Sequence, residues 1–193
     1  VGTDLAVVIY KIVSGNSKPT ITVGEYARLV LNVSKTNKLA YAGIYVPMGS
    51  QFELKGKGTL MLDCYATYGI GIGNDYEHSY GDITIDMDGS LEIICNGTET
   101  VAIGGGFNDD DSDIKLVSGN IKVDMHTHNG IGVGSFNGDA NIEISDNCKL
   151  NMTLAGKRIT GIGSFTGIST IGTSADITMS CSSAEAVGIG VIE

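Results

Sequence analysis

The sequence has no tryptophan, only two prolines, and aromatic residues make up just 6% of its 193 positions. Set beside 28 glycines, that scarcity suits neither a helical bundle nor a disordered tail. Basic residues are also few, with 12 Lys and Arg against 22 Asp and Glu, a formal net charge of −10. A chain so acidic repels phosphate backbones, which argues against nucleic acid as a partner. No apolar run is long enough to cross a bilayer, which excludes insertion by a helix. No signal peptide is visible and the chain opens at Val1 without an initiator Met, as expected of a mature or excised segment. The four cysteines include no Cys-x-x-Cys pair, so the usual zinc spacing is missing.

What remains is an aliphatic chain. Hydrophobic residues account for 42%, mostly Ile, Val and Leu, which favour strands. They recur with a period. An Ile flanked by glycine appears at Gly69-Ile70-Gly71, Gly130-Ile131-Gly132, Gly161-Ile162-Gly163 and Gly188-Ile189-Gly190. Ala102-Ile103-Gly104 is a near copy and Gly43-Ile44-Tyr45 a degenerate one, giving intervals of 26, 33, 28, 31 and 27. That interval suits one solenoid coil.

Two further ladders precede each marker. The nearer one is Leu60–Cys64, Leu91–Cys95, Ile121–Met125, Leu150–Leu154 and Ile177–Cys181, with Leu29–Val33 as its expected first member. Positions one, three and five are apolar in every copy, which is a strand with one buried face. The farther ladder starts at Ile21, Phe52, Ile83, Ile114, Ile142 and Ile168. Turn residues such as Asp88-Gly89-Ser90 and Ser118-Gly119-Asn120 separate the two. The expected fold is all-β, a parallel β-helix of about six coils with three short strands each. At about 4.8 Å per coil its core is roughly 25–30 Å long. Residues 1–19 are expected to cap it and residues 20–193 to form it. Leu5–Val13 reads as a strand by its β-branched content, and its apolar spacing also permits a helix. The chain ends just after a marker, so further coils or domains of a parent protein are expected to follow Glu193.

The Gly-Ile-Gly markers after short apolar strands resemble the Gly-Ile-Gly-Gly-Gly type repeats of bacterial cell-surface proteins, notably in gut Firmicutes. The resemblance covers roughly residues 20–193 and implies a right-handed β-helix of the pectate-lyase-like superfamily. It also implies an extracellular or cell-surface location and binding of a polysaccharide or host glycan. No catalytic motif matches residue by residue, so no active site follows from it.

The register sorts the candidate sites. Cys64, Cys95 and Cys181 share the fifth, inward position of the nearer ladder and read as small core hydrophobes. If each marker Ile points inward, its flanking glycines point outward and form a stripe of bare backbone. Two roles are open to that stripe: serving the backbone through positive φ, or lying against something flat.

Tyr65, Tyr68, Tyr76 and Tyr80, with His78, border the stripe, and exposed rings there suit stacking on sugar. The segment 74–80 is long and polar, as functional loops are. Phe107, Phe136 and Phe165 follow three later markers and are expected as a ladder sealing a corner. Asp109, Asp110, Asp111 and Asp113 gather enough carboxylates for Ca²⁺, or form a solvated acidic loop. His126 and His128 read as exposed turn residues with no third metal ligand nearby. Lys115, Lys122, Lys157 and Arg158 offer bases, and Glu92, Asp124 and Glu143 offer carboxylates, but no catalytic constellation emerges. The expected function is a non-catalytic carbohydrate-binding or adhesion module. A structural stalk is the first alternative, a polysaccharide lyase or hydrolase the second.

Overall fold

The computed structural model describes residues 4–9, 21–24, 26–40, 43–109 and 111–191. Every regular element among them is a strand. The first five are short: β1 (Asp4–Ile9), β2 (Ile21–Thr22), β3 (Arg28–Val33), β4 (Asn37–Ala40) and β5 (Ile44–Tyr45). Then come β6 (Gln51–Gly56), β7 (Thr59–Gly73), β8 (Asp82–Asn108) and β9 (Asp113–Gly138). The last four are β10 (Ala140–Ile144), β11 (Cys148–Ser164), β12 (Ser169–Thr173) and β13 (Asp176–Val191). All pair in parallel, and the chain winds as a β-solenoid of about five turns. The long strands are bent rather than flat: β8 carries all three ladder positions of its coil in 27 residues.

Three columns of stacked residues define the coil. The first runs Leu5, Leu29, Phe52, Ile83, Ile114, Ile142 and Ile171. The second runs Asn37, Leu60, Leu91, Ile121, Leu150 and Ile177. The third runs Ile21, Ile44, Ile72, Ile103, Val133, Ile162 and Ile189. From Leu60 onward the second and third columns lie twelve residues apart in every coil, with no insertion. Leu91, Ile93 and Cys95, like Ile121, Val123 and Met125, are at most 1% exposed. Each such aliphatic side chain contributes about 1.5–3 kcal/mol by leaving water.

This register corrects four expectations. Leu29–Val33 belongs to the first column, not the second, and Ile21 belongs to the third, not the first. Ile171, not Ile168, continues the first column, and Ile168 is 70% exposed. In two coils the marker lies two residues downstream, at Ile72 and Val133 instead of Ile70 and Ile131. The corrected intervals are 28, 31, 30, 29 and 27, more even than those first read. The physical reason is period-two ambiguity. Gly69-Ile70-Gly71-Ile72-Gly73 offers two overlapping markers, and only coil stacking selects between them.

The fourth correction concerns the glycine stripe. The flanking glycines are buried through Gly163, and only the last coil leaves them open. Gly73, Gly104, Gly134, Gly163 and Gly190 form one column with φ of 137°, 126°, 138°, 133° and 129°. That region of φ is closed to L side chains other than in isolated, strained cases. A Cβ on Gly73, Gly104, Gly134 or Gly163 would also overlap the carbonyl oxygen of the next glycine in the column. The glycines preceding the marker face inward: a Cβ on Gly132 would lie 2.7 Å from Met152 Sδ. The glycines are therefore the joint that lets coils stack closely.

At the N-terminal end, β1 lies parallel to β3 and extends the first sheet by one strand. The strand reading of that segment fits over Asp4–Ile9. Residues 10–20 lie outside the described residues. Cys64, Cys95 and Cys148 are buried, Cys181 is exposed, and all four are free thiols. Cys64 and Cys95 are direct partners across coils, and the Cys95 thiol is pushed well up by its hydrogen bond with Cys64 and by burial. Burial pushes the Cys148 thiol up to about 11.

Two outcomes follow. Gly134→Ala should lower stability by roughly 2 kcal/mol or more, read as a fall in denaturation midpoint. Gly172, with nothing within 4 Å of a Cβ, is the control, and its Ala variant should stay within about 0.5 kcal/mol of the parent. Native alkylation with iodoacetamide near neutral pH should modify Cys181 first, with Cys64, Cys95 and Cys148 reacting only after unfolding. Equal labelling of all four in the folded protein would contradict the burial described here.

Candidate functional site

Each coil must return from its third column to the first column of the next coil. These return loops differ in length, whereas the segment joining the second and third columns keeps one length from Leu60 onward. Four successive returns build a cleft of about 580 Å³. The first supplies Tyr26, the second Pro47 and Met48, the third Asn74 and Glu77-His78-Ser79, and the fourth Phe107 and Asp109. Three coil steps separate the first return from the fourth, so the cleft extends about 15 Å along the axis.

The third return is internally braced. Asn74 Nδ2 donates to the Ser79 carbonyl at 2.8 Å, while its Oδ1 accepts from the Asp75 amide at 3.0 Å. Asp75 Oδ1 accepts from the Glu77 amide at 3.0 Å and lies 2.5 Å from His78 Nδ1. This pair leaves the other ring nitrogen of His78 as the group it can offer a ligand. Across to the fourth return, Ser79 Oγ donates to Asp109 Oδ2 at 2.5 Å, and the Phe107 amide donates to the His78 carbonyl at 3.3 Å. Such side-chain ties are what Asn and Asp supply in turns. Asp75 also acts beyond its own loop: burial and then the Asp75 charge push the half-buried Tyr45 phenol up.

Tyr26 forms the far wall. It is 71% exposed and holds φ at 54°, a rare conformation for an aromatic residue. Its ring rests on Gly49, where a Cβ would come within 2.9 Å of Cε1. Met48, 46% exposed, lies beside it. Exposed apolar side chains thus line the cleft together with a polar loop braced by Asn74 and Asp75.

The sequence-predicted residues divide among three places. His78 and Asp109 line the cleft. Tyr65 and Tyr68 are each 45% exposed on the outer face of β7 and do not line it. Tyr68 stacks on Tyr76 at 5.8 Å, and Tyr76 meets Phe136 edge-on at 4.9 Å. Phe136 meets Phe165 at 4.8 Å, and the Arg158 guanidinium lies 5.0 Å from the Phe165 centroid. Tyr76, Phe136 and Phe165 cover the outward-facing Val101 and Ile131. The expected Phe ladder therefore holds for Phe136 and Phe165, while Phe107 sits one row away and faces the cleft.

Tyr80 requires a correction. It is fully buried in the core and presents no face to a ligand. Its phenol is pushed strongly up by burial and then by Asp113.

The acidic run does not converge. Asp113 accepts from Lys115 Nζ at 2.8 Å, Asp109 is tied to Ser79, and Asp111 is exposed with φ of 49°. Asp110 lies outside the described residues. Among the described residues no three His, Cys, Asp or Glu side chains gather as a cation site. His126 is exposed, with Nδ1 3.5 Å from Asp124 Oδ1, and His128 is exposed.

Sequence reasoning missed Tyr26, Pro47, Met48 and Phe107 as cleft residues. A signal existed. Placing Ile21 in the third column puts Tyr26 in the same return as His78, two coils earlier.

No family model, curated protein or solved structure matches the chain.

Asn74→Ala removes the two side-chain bonds that Asn74 makes within the third return. It should raise amide hydrogen exchange over residues 75–80 and cost about 1–2 kcal/mol locally, with the global unfolding midpoint changed little.

Proposed function

We propose that the chain is a non-catalytic carbohydrate-binding module, acting at a bacterial cell surface, whose ligand lies along the return-loop cleft. The observation that carries this reading is Tyr26, a largely exposed ring seated on Gly49 in the same cleft as the braced loop of Asn74–Ser79. A flat ring together with hydrogen-bonding groups suits a sugar, which has an apolar face and a rim of hydroxyls. The cleft is open and elongated, which suits a chain rather than a monomer. The glycan assignment itself rests on this chemistry together with the resemblance of the repeat.

The test is a polysaccharide array, run with calcium and with chelator, followed by calorimetry on any hit. Tyr26→Ala should weaken binding about tenfold, equivalent to ~1.4 kcal/mol of aromatic contact. His78→Ala should weaken it similarly. Tyr65→Ala, outside the cleft, should leave it unchanged. Loss on chelation would add a calcium role for the acidic run. Binding to no glycan would overturn the proposal and favour a stalk. Tyr65→Ala acting as strongly as Tyr26→Ala would move the site to the outer face of β7.

A further inference from the structure

The cleft has an uneven charge. Glu77 and Asp109 line it, with Asp75 directly behind His78. No Lys or Arg is among the lining residues. Among the described residues neither Glu77 nor Asp109 makes an ion pair. Asp109 has only the neutral Ser79 hydroxyl, at 2.5 Å.

Some carboxylates elsewhere in the fold are paired with cations. On the outer face of the first sheet, Glu53 takes both Arg28, at 2.5 Å, and Lys55, at 2.7 Å. Asp113 takes Lys115, and Asp63 takes Lys38 at 2.9 Å. The cleft carboxylates are left uncompensated beside an apolar wall, where field lines concentrate and attract cations. The remaining wall suits the same ligand. The exposed Tyr26 ring carries a negative face that favours an ammonium group.

Resting on the glycan reading above, we infer that the cleft selects amino sugars carrying free ammonium groups, with Glu77 and Asp109 holding the charge and Tyr26 stacking on the ring beside it. Uronic-acid and sulfated polymers are disfavoured by the same carboxylates. N-acetylation removes the ammonium charge and so the main source of selectivity. Asp109 is positioned for this role by its bond to Ser79, which links the third and fourth returns.

The experiment uses the full chain and four tetrasaccharide probes: glucosamine, N-acetylglucosamine, glucose and galacturonate. Tetralysine serves as a non-sugar polycation. Affinities are read by calorimetry at low and moderate salt. The glucosamine tetramer should bind about tenfold or more tightly than its N-acetylated counterpart, and galacturonate should bind least. Asp109→Asn and Glu77→Gln, which keep size and hydrogen bonding, should each reduce that preference several-fold. Tyr26→Ala should weaken glucosamine and N-acetylglucosamine both, glucosamine somewhat more because the ring face also favours the ammonium. Salt should weaken the glucosamine complex more than the glucose complex.

Equal or tighter binding of the neutral or N-acetylated tetramer would overturn the charge inference and leave the glycan reading standing. Tetralysine binding as tightly as glucosamine, with no effect of Tyr26→Ala, would also overturn it, because bulk charge would then suffice. Binding of no tetrasaccharide would remove both readings together.

Discussion

The fold depends on how closely one coil's backbone can approach the next at a single column. Hydrogen bonding between parallel strands sets the spacing of the coils. At the third column the chain meets that spacing with positive φ at Gly73, Gly104, Gly134, Gly163 and Gly190. Any side chain at the first four would occupy the space of a neighbouring carbonyl. From Leu60 onward that joint goes with a constant twelve-residue separation between the second and third columns. The side chains of one column then fall on those of the next, and the core forms as stacked rows of Leu, Ile, Val and Met.

Alternating polarity along each strand made the solenoid legible from the residues alone. The same pattern left the phase undecided, because Ile70-Gly71-Ile72 and Ile131-Gly132-Val133 each repeat the marker two residues on, and the bend there puts Val101 and Ile131 outside the core that Ile103 and Val133 enter. Ile70 and Ile131 satisfied the marker as well as Ile72 and Val133 did, and only stacking separated them. The misplacement of Ile21 and Leu29 had a larger effect. It hid the fact that Tyr26 and His78 occupy versions of one corner two coils apart. Site residues drawn from different coils become neighbours only when the register is right.

Tyr80 illustrates another limit. It follows a polar segment and reads as part of an exposed loop. In the fold its backbone bridges to Pro47, its amide donates to the Phe107 carbonyl, and its ring fills the interior. The neighbouring coils place Gly49 and Asp111 at the equivalent position, so no repeat marks it as a core row. Packing that happens once in a solenoid leaves no periodic trace. Tyr76 behaves likewise, bridging Tyr68 and Phe136 over Val101 and Ile131.

The unequal lengths of the return loops have a consequence for how such a chain can change over generations. From third column to first, the returns span 8, 8, 11, 11, 9 and 9 positions, whereas the segment from second to third column is invariant from Leu60 onward. Insertions and substitutions at the return corner therefore escape the steric rule that governs the glycine column. The return corner can acquire new recognition surfaces while the segment from second to third column keeps its length. Specificity in this architecture is a modular trait: it can be rewritten coil by coil along one edge without re-solving the fold.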